Sequence, residues 1–116
     1  MNANARFHAM LGDWAKQSGQ HSDTLKRRVK DHLGAFTDIE IPNDARMDKL
    51  LVLLSQVFLA LGKPDLMWVL PDRRSIRLYH TSAKWSREFM ARATDTVYLM
   101  AAEEGVALAD VGTMRE

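Results

Sequence analysis

Apolar side chains recur three and four positions apart at Phe7, Met10, Leu11 and Trp14, while Arg6, Asp13, Lys16 and Gln17 fall mostly off that stripe. This spacing predicts an amphipathic helix over residues 3–18, ended at Ser18-Gly19. A second helix starts at a cap on Ser22 or Asp23 and runs to Leu33, with Leu25, Val29 and Leu33 inward and Gly34 as its stop. Residues 35–43, AFTDIEIPN, read as a linker with some extended character, because Pro42 disfavours helix at the residue before it. Asn43 then caps a third helix over 44–61, closed by Gly62-Lys63-Pro64. Its sequence LLVLLSQVFLAL is apolar almost all the way round, the pattern of a helix that is central or has a second face covered by a partner subunit. Three other helices in so small a chain leave part of it uncovered, so Leu51, Leu54 and Phe58 are expected to form a homodimer interface.

The run MWVLPDRRSIRLYH reads as a β-hairpin, with strands over 67–70 and 75–80 around the turn residues Pro71-Asp72-Arg73-Arg74. On its second strand Ile76, Leu78 and His80 point one way and Ser75, Arg77 and Tyr79 the other. The last and longest helix organises the chain. Ser86 is its N-cap, Glu88 sits near its positive end, and Gly105 closes it. Its inward face is Trp85, Phe89, Ala93, Val97, Met100 and Ala101. Beyond it lies an acidic tail, 106–116, with Val106, Leu108 and Val111 as docking points. There is no internal repeat, low-complexity segment or evident boundary. The expected fold is therefore a single domain over 1–116 of the α+β class, mostly helical, with about four helices and one β-hairpin.

With no cysteine, the chain has no disulfide, thiolate zinc site or cysteine nucleophile to offer. The N-terminus lacks the pattern of a secretory signal, and the apolar run 50–61 is far shorter than the roughly 20 residues that cross a bilayer. The expectation is a soluble protein of the host-cell cytoplasm with no membrane partner. His8, His21, His32 and His80 are spread over separate elements, and no motif joins a nucleophile, a base and an orienting group. Glu103 and Glu104 are adjacent, so on a helix they point about 100° apart and make no matched acid–base pair. The sequence is thus expected to be non-enzymatic, with no catalytic residue, cofactor or metal.

Net charge is +1, but its distribution is uneven. Between residues 66 and 94 six basic residues stand against two acidic ones, whereas residues 95–116 hold five acidic residues and only Arg115 in return. Arg73, Arg74 and Arg77 on the hairpin and Lys84 and Arg87 at the next helix start supply phosphate partners, and Tyr79, Trp68 and Trp85 are interleaved with them. Charge along a backbone and flat rings for bases are the two ingredients of single-stranded nucleic-acid binding, with Tyr79 or Trp85 as the stacking ring. Packing in the core is the competing role for Trp68 and Trp85. Lys26, Arg27, Arg28 and Lys30 form a secondary basic patch on the second helix, either a solvated face or a phosphate-contacting one.

The runs T-S-A-K-W-S-R-E-F and T-V-Y-L-M-A-A-E-E-G-V, with the opening N-A-R-F-H-A-M-L-G-D-W-A-K-Q, resemble segments of the NinB family of phage recombination proteins, also called Orf. They cover about a third of the chain and stand in the same order; the family's N-terminal strand-rich portion has no counterpart. The resemblance implies a phage-encoded accessory of DNA recombination or replication, a homodimer that binds single-stranded DNA and works with the host single-strand-binding protein or recombinase. The alternative is a phage counter-defence protein, such as an anti-CRISPR inhibitor, acting by occupying a host protein surface. If the acidic tail competes with DNA for the basic surface, deleting 106–116 will tighten single-stranded DNA binding in a mobility-shift titration. Unchanged or weaker affinity would refute that competition.

Overall fold

The structure is a computed structural model, and it describes residues 2–41, 47–72 and 74–108. The element order is α1 (Ala3–Ser18), α2 (Ser22–Leu33), β1 (Phe36–Glu40), α3 (Met47–Leu61), β2 (Leu66–Val69), β3 (Ser75–Tyr79), a 3-10 turn (Ser82–Lys84) and α4 (Arg87–Glu103). This is the α+β class, with four helices and a small antiparallel sheet. The expected Asn43 cap and helical residues 44–46, Arg73 and the tail from 109 onward lie outside the described residues.

The chain forms two compact units. One takes the described residues up to Leu33 and from Ser82 onward; the other takes Gly34–Thr81, which is inserted between them in sequence.

In the helical unit α1 packs on both α2 and α4. Phe7, Met10, Leu11 and Trp14, the stripe on α1, are all buried, against Leu25 and Val29 of α2 and Met90, Ala93, Val97 and Ala101 of α4. The local ends follow from the sequence. Asn2 accepts the Ala5 N–H at 2.8 Å to cap α1, and Ser86 accepts the Phe89 N–H at 3.1 Å to cap α4. Gly19 takes φ 75°, where its N–H donates to the Ala15 carbonyl at 2.9 Å. His21 starts α2: its Nδ1 accepts the Asp23 N–H at 3.1 Å, a role the sequence had placed on Ser22 or Asp23. Val106 and Leu108 pack against the same core, and Gln17 donates to the Ala107 carbonyl at 3.1 Å.

One end of this unit is closed by Glu104. Its carboxylate accepts the Trp14 indole N–H at 3.0 Å and the Gln20 amide at 2.9 Å, and it pairs with Arg28 at 2.7 Å. The Arg28 guanidinium in turn lies 5.3 Å from the centre of the Trp14 ring. One carboxylate thus ties α1, the α1–α2 link and α2 to the C-terminal end of α4.

The other unit holds a three-stranded sheet in the order β1-β3-β2. The hairpin β2–β3 is as expected, but residues 36–40 of the supposed linker are a full strand, pairing antiparallel with β3 in the register Phe36↔Tyr79 to Glu40↔Ser75. A hairpin alone is marginal in water, and the third strand supplies the pairing it lacks. Among the described residues, the buried apolar ones of this unit are few: Ala35, Ile39, Leu78 and Tyr79. In α3 not one described side chain is buried, and Leu51, Val52 and Leu59 are 55%, 59% and 89% exposed.

Bonding to Arg28, helped by Trp14 and Gln20, holds the Glu104 carboxyl below its ordinary value of 4.5. A depressed folded-state pKa stabilises the fold above the unfolded value and loses that contribution as pH falls through the folded one. Glu104→Gln is expected to lower the urea midpoint at neutral pH and to give a shallower decline than the wild type as pH falls below the ordinary carboxyl value of 4.5. Parallel acid limbs would exclude this role for Glu104.

Candidate nucleic-acid interface

The start of α4 gathers the first group of expected contacts. The 3-10 turn Ser82–Lys84 and the cap Ser86 bring Lys84 and Arg87 to the positive end of the helix, and both are exposed. The N-terminus of α1 lies beside it, and an open cleft of about 440 Å³ is lined by Asn2, Asn4, Ser82, Trp85, Ser86 and Arg87 among others. Two cations at a helix N-terminus are placed against the macrodipole, and an anion there relieves both. At the back of the cleft the buried Ser82 hydroxyl donates to Asn4 Oδ1 at 2.6 Å and meets His8 Nε2 at 3.1 Å. With its proton given to Asn4, the hydroxyl is left to accept from His8, the reverse of what a serine nucleophile needs.

Trp85 is half-buried in the helical unit. Its ring meets Phe7 edge-on at 5.5 Å and Phe89 at 4.8 Å, and the Lys30 ammonium lies 5.6 Å from its centre. These contacts give the ring a packing role. Lys30 itself is 0% exposed, which corrects its place on the exposed arc of α2. Its long stem is covered by the helices while its charge meets an aromatic face, a choice that residue spacing does not reveal. Arg28 also departs from an open patch, being held by Glu104 and by Gln20 Oε1 at 3.0 Å. Lys26 and Arg27 are half-buried.

The second group of expected contacts lies in the sheet unit. Arg77 is paired bidentately with Asp38 across the β1–β3 ladder, Nε to Oδ1 at 2.8 Å and Nη2 to Oδ2 at 3.0 Å, and its guanidinium lies 3.7 Å from the centre of the Phe36 ring. Bonding to Arg77 holds the Asp38 carboxyl below its ordinary value. Arg77 therefore reaches the surface with much of its charge already answered. Arg74 is exposed at the turn, where its backbone N–H donates to Asp72 Oδ1 at 2.8 Å. Tyr79 is 1% exposed, its ring edge-on to Phe36 at 6.2 Å, so it has no face to give a base. Both faces of β3 are covered at this end, since Leu78 is buried as well; simple alternation predicted one covered face.

The exposed ring is Trp68, at 50%. It stands directly opposite Arg77 in the β2–β3 register, and Arg77 stands opposite Asp38, so the three share one face of the sheet. Sequence spacing places Trp68 among the interleaved rings and points to Tyr79 or Trp85 for stacking. The signal that separates them is strand position: Trp68 is on an edge strand, Tyr79 on the central one. Of the expected dimer residues, Leu51 is exposed, and Leu54 and Phe58 are half-buried.

Among the described residues, no group of three or more His, Asp or Glu side chains converges as a metal site, and no helix is long and apolar enough to cross a membrane. No family model, curated protein or solved structure matches the chain.

Proposed function

We propose that this chain is a non-enzymatic accessory protein of phage DNA recombination or replication that binds single-stranded DNA and acts as a homodimer in the host cytoplasm. Its protein partner in this reading is the host single-strand-binding protein or recombinase. The observation that carries the reading is the exposed pair Lys84 and Arg87 at the start of α4, with Arg87 lining an open cleft. Cations there cost the free protein stability, and a phosphate backbone is a ligand that removes the cost. In the sheet unit, Arg74 adds charge and Trp68 adds a ring for a base. The resemblance to the NinB family agrees with this reading, and it rests on the three segments already quoted.

A second reading is favoured by a different observation. Leu51, Val52 and Leu59 on α3 form apolar surface that is exposed among the described residues. A counter-defence protein that occupies a host protein surface would use such a face. Pulldown of the host single-strand-binding protein or recombinase supports the first reading, and pulldown of a defence nuclease subunit supports the second.

Replacing Lys84 and Arg87 by Glu is expected to lower single-stranded DNA affinity at least about tenfold near 0.1 M salt and to flatten the salt dependence by roughly 0.7 per lost phosphate contact. The thermal midpoint should hold or rise, because the new carboxylates suit the helix N-terminus. Unaltered affinity in fluorescence anisotropy would end the assignment of this surface. Asp38→Asn, which removes the carboxylate charge facing Arg77, should tighten binding by roughly threefold and lower the midpoint.

A further inference from the structure

We propose that β2 is the edge through which two copies of this chain join, running antiparallel about a two-fold axis at Trp68 and fusing two three-stranded sheets into one of six. The inference rests on the homodimeric part of the reading above and is independent of DNA.

The two edges of the sheet are chemically unlike. β1 carries Asp38 and Glu40, so an identical strand laid antiparallel against it brings carboxylates together. β2, Leu-Met-Trp-Val, has no charge at all, and Met67, Trp68 and Val69 are 54%, 50% and 55% exposed. Edge strands are ordinarily blunted by charge, proline or a covering element. β1 is blunted by its charges, whereas β2, four residues long, carries none.

The ladder also fits. Leu70 donates its N–H to the Ser75 carbonyl at 2.9 Å, so the antiparallel alternation turns the backbone groups of Leu66 and Trp68 toward β3 and those of Met67 and Val69 outward. With the axis at Trp68, Met67 of each copy faces Val69 of the other, each pair exchanging two hydrogen bonds. Trp68 then meets its own counterpart at a close, non-hydrogen-bonded position, where aromatic pairs stabilise a sheet.

A second copy is the occupant that this surface favours. The edge is self-complementary, and because it carries no charge a like strand meets no repulsion. Met67, Trp68 and Val69 give it three exposed apolar side chains to set against their counterparts. Joining also has a geometric result. The row Asp38–Arg77–Trp68 continues into its counterpart on the same face, placing two rings and two guanidinium groups in one line.

The absence of cysteine in the chain makes a clean test possible. The wild type is expected to sediment as a dimer at tens of micromolar, with the Met67 and Val69 amides protected from hydrogen exchange in a concentration-dependent way. Val69→Lys should yield a monomer with unchanged far-UV circular dichroism. Trp68→Cys, oxidised, should give a disulfide-linked dimer, and Thr37→Cys on the charged edge should not. A monomeric wild type would overturn this inference and the homodimeric reading together. A dimer whose Met67 and Val69 amides exchange freely would overturn the β2 edge alone. The exchange measurement uses unaltered protein, so a variant that fails to fold leaves the result decisive.

Discussion

Phe7, Met10, Leu11 and Trp14 are almost wholly removed from water by helices that include one far away in sequence, and the architecture of the helical unit follows from that burial. Each large side chain buried in this way is worth about 1.5–3 kcal/mol, so the stripe fixes which face of α1 turns inward. It also sets the axial position of α4, because the Trp14 indole must find an acceptor and finds Glu104. The same requirement, that apolar surface be covered, is unmet in α3. A helix with the most apolar sequence of the four has no buried described side chain, and the edge strand β2 shares that exposure. The exposure of α3 and β2 is the physical ground for the partner proposed for the sheet unit.

Much of the fold was legible because the signals that mark it are local. Glycine at a left-handed stop, Ser86 beside the Phe89 amide, and the three-and-four spacing on α1 each involve residues within a turn of one another. The strand β1 was not legible as such. Phe-Thr-Asp-Ile-Glu becomes a strand by pairing with residues about forty positions away, and its own composition is weakly extended at best. Charge was the least legible property. Lys30 over Trp85, Arg28 on Glu104 and Arg77 on Asp38 look in sequence like open cations, yet each is answered by a group from a different element. A count of basic residues therefore overstates how many are available to a polyanion.

The candidate site separates accordingly into a part that is open and a part that is engaged. Lys84 and Arg87 belong to the helical unit, and Trp68, Arg74 and Arg77 to the sheet unit. The first pair owes its character to the end of a helix, the second group to cross-strand register. In the sheet, the carboxylate of Asp38 is a restraint on Arg77 as much as a structural partner, since it bonds the guanidinium that lies over Phe36.

The insertion of residues 34–81 between the two halves of the helical unit bears on how the chain is made. During translation, at about 5–20 residues per second, α1 and α2 wait some seconds for the helix that completes their core. Through that interval an oily ridge on a nascent chain is open to chaperones and to neighbouring ribosomes' products. Its maturation is therefore predicted to be more sensitive to temperature and expression rate than its small size implies.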